Sequence, residues 1–511
     1  MKKQLNSNSQ IKIGAIISYI AIIFNIVASF IYTPWMVQQI GKSDYGLYTL
    51  AISVITFFLM DFGISGTIAR FISLYRAQGE VEKVEDLLGI TYKLYIIIDF
   101  IILFILIGIF FSINNIFLQL SPQEIEKFKV IFVIVGGFSL VSFPFMPLNG
   151  IFVSNEKFVA LKIFDLCQKI LTIIFVVICL VLGYGVYALV LVNAVVNVVV
   201  IIYKNIYLKN NVKFKVNFKC KSKKVLKQIF NFSIWMTIIS IAQRLIINIS
   251  PTILGIFSGS IEISIFSIGV ALEGYVWTFA NALNGLFLPK VTKMVTNDEA
   301  KENIIDLMVK VGRIQLIVIG LLLIGLFSMG REFITLWMGS DFKGSYYVVV
   351  FLTLPSLITL TQEIAYNYLV AINEIKYRAY DFIGTAIVSI GLSLILTPKY
   401  GAVGAAMSAG IGIFLGHVIL MNIIYYKVFR LNVIRFFKEC HLKMCVPLGI
   451  SLVVGLLLQK YVPADSFIIF GIKAISLGIF YFISMWILVL NDYEKSLITS
   501  LYRVFKNKII R

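Results

Sequence analysis

The sequence predicts an all-α polytopic membrane protein of about fourteen transmembrane helices, on three observations: composition, the spacing of apolar runs and the placement of Lys and Arg. Hydrophobic residues make up 59% of the 511 and charged residues 14%, with a mean hydropathy of +0.93. So apolar a chain cannot bury its surface inside a water-soluble globule. The run from Ile11 to Thr33 behind Met1-Lys2-Lys3 is too long for a signal peptide and has no small-residue cleavage site, so it reads as a retained first span.

A hydrocarbon core needs about 20 apolar residues per helix, and the segments can be taken in order. Six lie at 11–33, 45–74, 88–112, 128–154, 159–182 and 186–206. After a lysine-rich stretch, eight more follow at 228–257, 262–289, 311–330, 346–372, 379–397, 402–426, 444–461 and 466–490. Short loops rich in Lys and Arg stay cytoplasmic. Lys2, Lys3 and Lys12, then Arg76 and Lys83, the run from Lys204 to Lys227, Lys376 and Arg378, and Arg503 to Arg511 all fall on one side of the alternation. Both termini are therefore expected in the cytoplasm. The net charge of +19 reads as topology plus attraction to anionic lipid, and nucleic acid is not expected as a partner.

An internal repeat organises these spans. A shift of 218 pairs Asn149 with Asn367, Asn155 with Asn373, Glu156 with Glu374 and the similar Asp44 with Glu262; a shift of 216 pairs Asp165 with Asp381, Tyr184 with Tyr400 and Gly185 with Gly401. Two six-helix lobes follow, 1–206 and 228–428, joined by a basic linker at 207–227 and followed by two further helices within 429–490 and a basic tail at 491–511. An even number of spans per lobe makes the repeat parallel, with its pseudo-two-fold axis along the membrane normal. The tail sets Leu497, Leu501 and Val504 against Lys and Arg, as a short helix lying on the inner surface would.

Several chemistries are excluded or weak. Gly339 to Ser345 has the glycine spacing of a phosphate-binding loop but no Lys before Ser345. Expected outer loops are short and carry no DxD pair, which argues against a glycosyltransferase or glycan polymerase. Cys167, Cys179, Cys220, Cys440 and Cys445 form no CxxC pair, and Cys440-His441 with Cys445 is too small a cluster to imply zinc, so no metal or cofactor is expected.

The stretch "FFLMDFGISGTIARF" sets Asp61 in mid-membrane, where a carboxylate costs about 2.5–3.5 kcal/mol on insertion scales and should face a partner or a wet cavity. Asp99, Arg244 and Glu273 lie at similar depth and Glu363 nearer the cytoplasm; Glu273 and Asp61 are the structural partners available to Arg244. Gly63, Gly66, Thr67 and Arg70 read as one close-packing face, as do Gly404, Ser408, Gly412 and Gly416. His417 is either hydrogen-bonded or a proton relay, and Lys473 is expected to snorkel. Pro144, Pro147, Pro251, Pro289 and Pro355 mark bends.

Gly41, Tyr45, Gly46, Leu47 and Tyr48, followed by Asp61-x-Gly63 and Arg70, resemble the opening of the Wzx-type lipid-linked oligosaccharide flippases of the multidrug/oligosaccharidyl-lipid/polysaccharide exporter superfamily. The resemblance implies two lobes around a central cavity with alternating access, in the bacterial cytoplasmic membrane. It also implies an undecaprenyl-diphosphate-linked glycan as substrate, membrane lipids and the glycan polymerase and glycosyltransferases as contacts, and a monomeric transport unit. Under it, Arg244, Asn25, Gln243, Asn248, Asn281 and Asn284 are the expected substrate contacts, with Tyr275 and Trp277 able to stack on sugars. Acids outnumber bases among the mid-depth residues singled out, which favours a coupling proton or sodium ion at Asp61, Asp99, Glu273 or Glu363. A multidrug exporter of the same fold is the rival reading.

Overall fold

The computed structural model describes residues 7–60, 62–212, 216–220, 223–281, 287–297, 299–496 and 499. All regular structure among them is helical. In chain order the first helices are α1 (Ser7–Ile40), α2 (Lys42–Phe58), α3 (Ile64–Ala77), α4 (Val81–Ile116), α5 (Pro122–Ser142), α6 (Leu148–Ser154), α7 (Phe158–Val181), α8 (Gly185–Val212), α9 (Lys223–Ile247), α10 (Ser250–Phe257) and α11 (Ser260–Asn281). Then come α12 (Leu288–Thr296), α13 (Lys301–Met338), α14 (Gly344–Thr353), α15 (Ser356–Thr359), α16 (Glu363–Ala371), α17 (Lys376–Ile413), α18 (Met421–Lys427), α19 (Val433–Phe436), α20 (Lys443–Tyr461) and α21 (Phe467–Leu488). The chain forms two compact units, one of Met1–Ser267 with Leu394–Gly401, the other of Ile268–Ser393 with Ala402–Arg511.

Among the described residues, eleven helices are long and apolar enough to cross a membrane, or twelve if the pair Ser340–Thr353 and Ser356–Ala371, bent by 40° at Pro355, is one span. The expected fourteen meet the backbone differently in two places. Lys376–Lys427 runs as one stretch of 52 residues, interrupted where Gly401 takes φ 54° and ψ −133°. The expected span 45–74 is broken into α2 and α3, because Leu59 leaves helical geometry and Phe62 and Gly63 both take positive φ. Gly63 accepts the left-handed conformation without a Cβ clash. It is therefore the cap of α3 and not a member of a continuous glycine face. Gly66 is not a packing glycine either, since a Cβ there would meet nothing within 4 Å; α3 packs on α6 through Thr67, Ile68 and Gly150 instead.

Expected bends also resolve individually. Pro144 lies in a 3-10 turn, Phe143–Phe145, that separates α5 from α6, whereas Pro251 and Pro289 occupy first-turn positions of α10 and α12, where a missing N–H is tolerated. Backbone geometry also follows the two repeat shifts. Gly41 and Gly259, 218 apart, have φ 86° and 88°; Gly185 and Gly401, 216 apart, have φ 66° and 54°. The Gly-x-x-x-Tyr-Gly-Leu-Tyr stretch is built for packing. Gly41 starts α2, Tyr45 and Leu47 are buried, and a Cβ on Gly46 would collide with the Ser260 carbonyl. Asp44, in the first turn of α2, pairs with Lys127 at 2.8 Å.

In the second unit, α13 is the central helix and packs against α16, α20 and α21. Its buried Arg313 meets Glu494 at 2.6 Å and donates to the Glu439 and Val489 carbonyls at 3.0 and 2.9 Å. Lys473 does not snorkel. It is 3% exposed and binds Glu332 at 2.6 Å, because a partner 141 residues away on α13 comes to its side. The Gly412–Gly416 face packs as expected, against a row of buried polar groups on α17. His417 Nδ1 lies 2.6 Å from Asp381 Oδ2, and a Cβ on Gly416 would collide with Thr385 Oγ1, one on Gly412 with Ser389 Oγ. The two hydroxyls and Asp381 Oδ1 have no hydrogen-bond partner among the described residues.

Candidate functional site

The broken second span is the most irregular backbone within the apolar part of the first unit, and a helix end in hydrocarbon leaves carbonyls that something must satisfy. α9 does so. Arg244 donates through Nη1 to the Thr56 carbonyl and through Nη2 to the Leu59 carbonyl, the latter at 3.5 Å. Thr237 donates to the Phe62 carbonyl at 2.7 Å, and Ser53 on α2 donates to the Asn248 carbonyl. These bonds stitch α9 along the break in antiparallel order. Around them is a cleft of about 370 Å³ lined by Met60, Ser240, Gln243, Arg244, Ile247 and Asn248.

Three of the expected substrate contacts, Gln243, Arg244 and Asn248, therefore share one cleft. Asn25 does not join them: it is exposed on α1. Asp61 and Asn284 lie outside the described residues, as does the side chain of Asn281. Arg244 binds the end of α2, where an acidic partner was the structural expectation. Asp99, at the middle of α4, has a buried Oδ1 with no hydrogen-bond partner among the described residues. In the second unit, Glu273 is buried and hydrogen-bonded by the Trp277 side chain. Glu363 begins α16 and interacts electrostatically with Arg378, whose guanidinium lies 4.7 Å from the centre of the Tyr366 ring. The linker at 207–227 is held where Asn217 N–H donates to the Glu85 carbonyl at 3.1 Å; most of the expected tail helix falls on residues not described.

One mid-depth charge is not among the residues the sequence singles out. Lys169 occupies the centre of α7, on the face that carries Val176 and Leu180, both buried, while Ile174 and Ile178 on the other face are exposed. It makes no hydrogen bond or ion pair with another described residue. The signal was available: positions 169, 176 and 180 share a face at helical spacing, and two of the three are apolar. Beside it, Gln168 donates to Asn197 and Asn197 to Ser142, each at 3.2 Å, forming a neutral polar ladder.

Comparison with known proteins places this geometry. Residues 11–295, more than half of the chain, match the family of polysaccharide biosynthesis proteins. A candidate O-antigen transporter of Shigella flexneri is 22% identical over 404 residues, covering 76% of this chain and 91% of its own. The lipid II flippase MurJ in an inward closed conformation superimposes with a TM-score of 0.71 at 17% identity, covering 95% of this chain and 99% of its own. An inward-facing multidrug resistance transporter of the MATE family and MOP superfamily gives 0.66 at 12% identity, over 82% and 99%. These two structural likenesses define the fold.

Proposed function

Because the chain belongs to the polysaccharide biosynthesis protein family, we propose that it is a flippase for undecaprenyl-diphosphate-linked oligosaccharide repeat units, moving them from the cytoplasmic to the outer leaflet by alternating access. The single observation that carries this reading is the family match, running from the first expected span past the Arg244 cleft. Physical need agrees with it. A diphosphate-sugar headgroup cannot enter hydrocarbon unaided, so a polar recess at mid-depth must replace its water. Gln243, Asn248 and the polar groups around Arg244 supply such a recess in the first unit, and Asn25, Asn281 and Asn284 remain proposed sugar contacts.

Two repeat lobes, 1–206 and 228–428, are proposed as the moving bodies, with both termini in the cytoplasm and the lysine-rich linker between them. Movement is proposed to be coupled to inward proton or sodium flow through Asp61, Asp99, Glu273 or Glu363, since a carboxylate in low dielectric can load and release a cation. The chain would hand its product to a glycan polymerase and work as a monomer. The test is deletion of the gene, followed by assay of which leaflet holds the lipid-linked repeat unit. Accumulation on the cytoplasmic leaflet, reversed by the intact gene, is the expected result. Unchanged glycan export with loss of drug resistance would replace this reading by the multidrug exporter.

A further inference from the structure

Among the described residues of the first unit, Arg244 and Lys169 are cations near mid-depth that differ in what they touch. Arg244 is held by the carbonyls of Thr56 and Leu59. Lys169 touches no acceptor among the described residues. It lies 11 residues from the start of α7 and 12 from its end, which at 1.5 Å per residue is about 17 Å from either. A four-carbon stem is too short to carry the ammonium to either headgroup layer, so snorkelling is closed to it.

Among the described residues no carboxylate forms an ion pair with it. Asp165, one turn away on the same face, already meets Lys204 at 2.9 Å and Lys162 at 3.7 Å. The neighbouring ladder of Gln168, Asn197 and Ser142 is neutral. α7 packs on α1 and α8, with Val176 and Leu180 of this face buried and Ile174 and Ile178 of the opposite face exposed. A lone ammonium at such depth is stable when it meets water or an anion that comes to it.

Taking the proposed substrate class as given, we infer that Lys169 is a binding residue for the diphosphate of the lipid carrier during its passage. Depth is the argument for the occupant. Resident phospholipids keep their phosphates at the interface, so a phosphate that reaches Lys169 belongs to a headgroup in transit. An ammonium recognises phosphate as a point charge without fixed geometry, which suits a ligand that must arrive, turn and leave. Arg244, its hydrogen bonds engaged by α2, positions the break beside the cleft; Lys169 supplies a free charge.

The full chain is reconstituted in vesicles of phosphatidylethanolamine and phosphatidylglycerol and titrated with undecaprenyl diphosphate, with undecaprenol as the uncharged control. K169M keeps the length and apolar stem and removes the charge; K169R keeps the charge. Wild type and K169R are expected to bind the diphosphate within a fewfold of each other, with K169M weaker by about tenfold or more and binding of undecaprenol the same for all three. Equal diphosphate binding by K169M and wild type overturns the role of Lys169 while leaving the flippase reading in place. Failure of the wild type to bind the diphosphate above the undecaprenol background overturns the substrate class and this inference with it. Equal thermal unfolding of K169M and wild type separates lost binding from lost folding; a K169M that unfolds early while K169R restores stability without restoring binding assigns Lys169 to structure and overturns the inference.

Discussion

Among the described residues, buried ionisable groups on α13, α17 and α21 of the second unit are paired, whereas Asp99 and Lys169, at mid-helix in the first unit, make no ion pair. Arg313 meets Glu494, Lys473 meets Glu332 and His417 meets Asp381, each at 2.6 Å and each with at least one member almost wholly buried. In the first unit the ion pairs Asp44–Lys127 and Asp165–Lys204 lie toward helix ends. Asp99 and Lys169, at the centres of α4 and α7, have no ion pair among the described residues, and Arg244 meets main-chain carbonyls. Arg313, Lys473 and His417 thus tie helices together in pairs, whereas Asp99 and Lys169 stand without an ion pair among the described residues. A buried pair stabilises only relative to its broken form, whereas an unpaired charge in hydrocarbon is retained at a cost that function must justify.

That contrast can be broken by ranking substitutions by their effect on stability in detergent. Glu494→Ala leaves the Arg313 guanidinium buried and uncompensated and should lower stability by about 3–5 kcal/mol, read as a large drop in thermal midpoint and in membrane abundance. Arg244→Ala orphans the Thr56 and Leu59 carbonyls, each worth about 1–3 kcal/mol, and should loosen the break; Arg244→Lys should recover part of the loss. Gly416→Ala drives a methyl into Thr385 and should cost about 1–3 kcal/mol by overpacking. Asp99→Asn should shift stability least, within about 0.5 kcal/mol, while removing the dependence of transport on an imposed proton or sodium gradient. A stability loss for Asp99→Asn as large as that for Glu494→Ala would erase the distinction between the units.

Much of the fold was legible in the sequence because lipid imposes simple rules on length and polarity. Apolar runs located the spans, and the glycines at 185 and 401 kept both their repeat spacing and their positive φ. What could not be read was which residues meet across distance. Lys473 and Glu332 lie on helices 141 residues apart in the chain, and no periodicity links them. The break between Phe58 and Ile64 is hidden because Asp61 and Gly63 each read as ordinary features of a continuous span, a cavity-facing charge and a close-packing position. Gln243 and Arg244 lie on α9 and Asn248 just past its end, so closeness in sequence brings the three together. Lys169 does not stand out in the sequence because Asp165, four residues before it, offers an i, i+4 partner on the same face.

Arg244 grips α2 by its peptide oxygens and not by any side chain, and those oxygens are present whatever residues occupy positions 56 and 59. Side chains at positions 56 and 59 can therefore change without loosening the joint. The dependence runs one way: α2 may drift in sequence, while the guanidinium on α9 may not.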